Sequence, residues 1–125
     1  MAKLAAFFLL AAAALAGCAP GLAERYGVGN RALSSGEGPV YFVVLAPLLH
    51  AALNRCIPPG TAGASPTLVV VADVDATGAA ANVEVEPDSP GSDCLRRELR
   101  DTRLPKPPLA AGAASFPIGL RIDTR

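Results

Sequence analysis

An α+β fold is what this sequence predicts, on three observations: a helical apolar recurrence in residues 48–56, two valine-rich runs around a Thr-Gly turn, and an alternating run at the C-terminal end. Leu48, Leu49, Ala52, Leu53 and Cys56 repeat at the spacing of one helix face, and Ile57-Pro58-Pro59-Gly60 stops the helix. Residues 40–56 are the most apolar stretch after the N-terminal segment. Pro47 leaves two readings of them: one kinked helix beginning near Pro39, which is favoured, or a β-rich 41–45 followed by a shorter helix. Residues 67–75 and 80–86, joined through Ala76-Thr77-Gly78, predict a hairpin. In its second strand Val83 and Val85 share one face and Glu84 and Glu86 the other, so that strand is half buried. Ser92 serves as the expected N-cap of a helix over 93–102, with Leu95 and Leu99 as its inward contacts and Asp93/Arg97 and Arg97/Asp101 as solvent-side pairs. Leu104-Pro-Lys-Pro-Pro108 ends that helix. In residues 115–123, Phe116, Ile118, Leu120 and Ile122 alternate with Pro117, Gly119, Arg121 and Asp123, a final strand with one buried face. Pro117 cannot donate to a ladder, so one side of the early portion of this strand is expected to be an open edge.

At 125 residues, with 51% hydrophobic and 18% charged side chains, the chain holds one small domain. Its 11 basic and 11 acidic residues cancel. Arg96, Arg97, Arg100 and Arg103 are interleaved with Asp93, Glu98 and Asp101, which makes a solvated helix face and excludes nucleic acid as the expected partner. One histidine, His50, and carboxylates placed on strands or turns supply no catalytic constellation and no metal site, so the expectation is a non-enzyme without a cofactor.

The N-terminal residues add a compartment. After Met1-Ala-Lys3 come thirteen residues, 4–16, without a polar side chain. As a helix they would rise about 20 Å, too little to cross a hydrocarbon core of about 30 Å, but enough for the apolar region of a secretory signal. Leu15-Ala16-Gly17-Cys18 then resembles the lipobox of bacterial lipoproteins. That resemblance implies cleavage before Cys18, removal of 1–17 as a signal peptide, and diacylglyceryl attachment to the Cys18 thiol. Ala19, rather than aspartate, follows, which in that family implies an outer-membrane, periplasm-facing location. With Cys18 acylated, Cys56 and Cys94 remain as an even pair in an oxidising compartment and are expected to form a disulfide. Residues 18–39, rich in glycine and without a sustained period, are expected to be a flexible linker, with a transient helical turn around 22–26, reaching on the order of 25 Å from the bilayer.

The order helix, hairpin, helix, strand over 40–125 resembles the C-terminal domains of the TonB and TolA family. The residues that carry the resemblance are Val74-Asp75-Ala-Thr-Gly78 and the run from Cys94 through Leu-Arg-Arg-Glu-Leu-Arg-Asp-Thr-Arg-Leu to Pro105-Lys-Pro-Pro108. It implies two helices on one face of a three-stranded antiparallel sheet and binding of an envelope protein, partly by strand addition. The edge implicated is the final strand, through Phe116, Ile118, Leu120, Arg121 and Ile122. Two departures from the family argue against energy transduction: a cleavable leader where it keeps a membrane helix, and a linker too short to span two membranes. A small lipoprotein inhibitor of an exported enzyme, with contacts on loop 57–66, is the alternative.

Overall fold

The computed structural model describes residues 20–58 and 67–124; the expected leader 1–17, the lipobox Cys18 and most of the loop 57–66 lie outside them. The fold is α+β, with three helices, α1 (Leu22–Ser34), α2 (Gly38–Cys56) and α3 (Pro90–Asp101), and three strands, β1 (Thr67–Asp75), β2 (Ala80–Glu86) and β3 (Ser115–Asp123). The sheet is antiparallel, in the order β2-β1-β3. Cys56 and Cys94 are disulfide-bonded, with Cα atoms 5.4 Å apart.

The alternation of each strand divides the sheet into two faces. Val70 of β1 lies between Val85 of β2 and Leu120 of β3, and Ala72 and Val74 stand opposite Ile118 and Phe116. Tyr41, Leu45, Leu49 and Ala52 of α2 and Leu95 and Leu99 of α3 close over this face, and together they form the core. Leu45 and Val70 are wholly inaccessible to solvent. Tyr41 anchors the start of α2: its ring meets Phe116 edge-on at 5.4 Å, and its hydroxyl donates to the Pro105 carbonyl at 2.9 Å. Burial pushes that phenol up to about 12. Helix α2 is long and apolar enough to cross a membrane by length and composition, yet its inward face is the core of the domain.

Helix α1 corrects the expected flexible linker, and the folded unit extends back to Leu22. Gly27 and Gly29 lower its intrinsic helix preference, but Gly29 is what lets it pack. A Cβ there would collide with the backbone of Ile118 and Gly119, and one at Gly119 would collide with Tyr26 and Asn30. Helix and strand backbones therefore touch directly. Arg25 of α1 reaches Asp73 and Glu84 on the face opposite the core, while Leu33, one residue before the helix ends, belongs to the core itself. The helix thus passes from the far face around the outer side of β3, and the short turn at 35–37 delivers the chain to α2. The resulting arrangement has three layers, not two, and covers Val71, which is 1% exposed on the far face.

Helix α3 starts earlier than expected. Ser89, not Ser92, is its N-cap: the Ser89 hydroxyl accepts from the Ser92 N–H at 3.0 Å, and Pro90 occupies the first turn, where its missing N–H costs nothing. Ser92 is instead buried, its hydroxyl donating to the Pro87 carbonyl at 2.6 Å. The expected partners of Arg97 are also replaced. Arg96 bonds Asp88, Asp93 and the Val85 carbonyl, and Arg55 bonds Glu98, tying α3 to β2 and to α2.

Candidate functional site: a groove beside the outer strand

Between α2 and the last four residues of β3 runs an apolar groove of about 740 Å³, lined by Phe42, Pro47, His50 and Leu53 on one side and by Leu120 and Ile122 on the other. Its origin is local. Leu49 turns inward to the core while Phe42 and His50 stay exposed, so α2 leans over the core side of β3 without meeting its C-terminal end. The last part of β3 pairs with β1 through Val70–Leu120, Val69–Arg121, Leu68–Ile122 and Thr67–Asp123, and among the described residues no strand flanks its other side. The groove and this side of the strand adjoin.

The five residues of the expected edge divide here. Phe116 is 9% and Ile118 1% exposed, and both point into the core. Alongside them α1 packs on the backbone of Ile118 and Gly119, so the early part of β3 is shielded. Leu120 and Ile122 are half-buried in the groove wall, and Arg121 is exposed, its guanidinium 5.2 Å from the centroid of the Tyr26 ring. The edge read from the sequence as one continuous surface is therefore narrowed to 120–122. His50 lines the groove, and Asn54 is exposed one turn further along α2.

Comparison with known proteins finds no matching family model, curated protein or solved structure.

The acidic residues elsewhere have structural partners. Asp75 folds its turn: its carboxylate accepts from the Thr77 N–H, the Thr77 hydroxyl and the Ala79 N–H at 2.6–3.1 Å, and these bonds, the hydroxyl first, hold it below the usual carboxylate range. Gly78, at φ 89°, completes this turn in a conformation that suits glycine and packs against Leu104. On the far face Arg25 lies 3.7 Å from Asp73 and 3.5 Å from Glu84 and donates to the Asn82 carbonyl at 2.7 Å, while the Asn82 amide donates to Asp73 at 3.0 Å. Asn82 has φ 53°, in the left-handed region that asparagine tolerates, beside the irregularity in β1–β2 pairing between Val71 and Asp73. Among the described residues no group of three His, Cys, Asp or Glu side chains converges as metal ligands would.

Sequence reasoning missed α2's part in the groove and α1's part in narrowing the edge. The second had a signal. Val69 and Val71 are both apolar on the strand face opposite the core set, the mark of a strand covered on both sides.

Proposed function

We propose that this protein is a non-enzymatic lipoprotein of the bacterial envelope, held to the outer membrane through acylated Cys18, whose domain binds an extended segment of another envelope protein along residues 120–122 of β3. The observation that carries the binding reading is the adjacency of an open strand side and an apolar groove. A peptide added there gains main-chain hydrogen bonds from β3, and alternate side chains enter the space between Phe42, Leu53 and Ile122. The order helix, hairpin, helix, strand from α2 onward supports the likeness to TonB and TolA C-terminal domains, with α1 as an addition on the second face.

The anchor reading rests on Leu15-Ala16-Gly17-Cys18. Because α1 begins at Leu22, the spacer is far shorter than 18–39. Cys18 lies two residues before Pro20, within about 7 Å of it along the chain. Pro20 lies beside Arg25, Asp73 and Glu84, so the anchored domain would rest with its α1 face toward the bilayer and its α2 face toward the periplasm.

Mass spectrometry of the mature protein tests the anchor: an acylated Cys18 as the first residue is expected, and a retained leader or a free thiol there overturns it. Photo-crosslinkers at Phe42 and Ile122 test the groove. Adducts with one discrete envelope protein are expected at both positions, absent from Asp101 on α3 and lost when Phe42→Glu is combined with the Ile122 crosslinker. Adducts insensitive to Phe42→Glu, or equal at Asp101, overturn the groove as the binding site.

A further inference from the structure

The outward face of α2 is as apolar as its inward face. Val40 is 72%, Val43 69% and Val44 53% exposed, with Pro47 and Leu48 beside them, whereas apolar surface this contiguous is uncommon on a small monomer. Its pattern is specific. Val40, Val44, Pro47 and Ala51 follow each other at intervals of four, three and four, the spacing of a two-helix seam, with Val43 and Leu48 on its flanks. Between Glu37 and Arg55 no residue of α2 carries a formal charge. Those two residues stand 18 positions apart, and at 3.6 residues per turn they fall on one line of the helix, at opposite ends.

We infer that this face binds a second copy of the same chain, α2 against α2, antiparallel about a two-fold axis near Ala46. In that register Val40 of each copy meets Ala51 of the other, Val44 meets Pro47, and the Glu37 carboxylate at one end meets the Arg55 guanidinium at the far end of the partner helix. A two-fold interface places the same patch on both subunits, so one self-complementary helix face supplies both ion pairs. Helix dipoles favour the same orientation: Glu37 at an N-terminus and Arg55 at a C-terminus each carry the charge their end attracts. In the single chain the Glu37 carboxylate has no hydrogen-bond or ion-pair partner among the described residues, its carbonyl alone accepting from the Tyr41 N–H, and Arg55 keeps about half of its side chain exposed while bonding Glu98. Lys106, Pro107 and Pro108 line a hollow together with Glu37, Val40 and Val44, at the Glu37 end of the face.

On the anchor reading proposed above, a bilayer does not fit this face. The chain enters the domain at Pro20 beside Asp73 and Glu84, on the side of the sheet away from α2, so an anchor two residues earlier turns α2 outward. The groove along Phe42, His50 and Ile122 lies on the opposite flank of α2 from Glu37 and Arg55, and it meets the proposed seam only at Val43 and Pro47, which line both.

The test uses the full-length protein in detergent, followed by sedimentation across a concentration series. Wild type is expected to dimerise, and Val44→Asp to weaken the dimer tenfold or more while the melting temperature of the monomer holds, since Val44 is half exposed and lies outside the core. Glu37→Arg and Arg55→Glu each place like charges across both ends and are each expected to lose association. Mixed together they are expected to regain it as a heterodimer, because only the mixed pair has opposite charges at both ends of the seam. At one end the arginine introduced by the first substitution faces the glutamate introduced by the second, and at the other the native Arg55 faces the native Glu37. A wild type that stays monomeric, a Val44→Asp protein that associates like wild type, or a mixture no tighter than its components overturns the inference. So does wild-type monomer that binds phosphatidylethanolamine vesicles through Val44 instead.

Discussion

The two faces of the sheet are held by different physics. On the core face, long side chains from α2 and α3 stand the helices off from the strands, and stability comes from closed apolar packing around Leu45, Val70 and Leu95. On the far face α1 approaches until backbones touch at Gly29 and Gly119, and its remaining hold is polar, through Arg25. The first arrangement tolerates changes of shape that conserve volume. The second tolerates almost no added atom, because the obstacle is main chain and cannot rotate away.

The strongest way to break the core face is to release its staple. Replacing Cys56 and Cys94 by serine is expected to cost about 4 kcal/mol, the chain-entropy value for a 38-residue separation, read as a lower denaturation midpoint of the double variant. Next in size is a paired measurement. Leu45→Ala should destabilise by about 3 kcal/mol through the cavity it leaves, and Gly29→Ala by about 2 kcal/mol although it adds a methyl group and raises helix preference. An unchanged or more stable Gly29→Ala protein would show that α1 is not seated on β3 as described.

Arg25→Met keeps the aliphatic stem and removes the charge between Asp73 and Glu84, at a cost of about 1 kcal/mol in low salt. The cost should shrink as ionic strength rises, whereas that of Leu45→Ala should not. The smallest effect belongs to Asp75→Asn. Because the folded chain holds Asp75 below its ordinary value of 3.8, this carboxylate contributes stability above that value and loses it as pH falls through the lower folded one. The variant should therefore melt below wild type at pH 7 and together with it in strong acid, with thermal melts across a range of about pH 2 to 7 as the check.

Much of this was legible residue by residue. The strands occupy 67–75, 80–86 and 115–123 as their alternation predicts, because a strand half buried on one face writes its period into the sequence. Helix α2 was readable from an apolar repeat with a proline stop, and the sulfur pair from the two cysteines, Cys56 and Cys94, that remain of three once Cys18 is assigned to the lipobox. The cap of α3 was readable and misassigned: Ser89-Pro90, with proline in the first turn, outweighs Ser92. Helix α1 was only partly readable from its own residues: a helical turn around 22–26 was, and Leu22, Tyr26, Gly29 and Leu33 do fall on one face, but the glycines argue against extending it. The opposite wall adds a second sign, in Val69 and Val71. The candidate site was half legible. Leu120, Arg121 and Ile122 could be placed on an outer strand, but that Phe116 and Ile118 were lost to the core and to α1 depends on where a remote helix passes.

By itself, then, the sequence determined the strands, the apolar helix α2, the sulfur couple and the two charges that bracket that helix, all properties that recur at short spacing or follow from a count. Tertiary structure alone decided that α1 runs on to Ser34 and docks on the sheet, that it narrows the open side of β3 to residues 120–122, and that the face of α2 bearing Val40 and Val44 points to solvent. Burial on a second face and exposure of an apolar stripe are relations between segments far apart in the chain, and no local period encodes which of two apolar faces the sheet will claim.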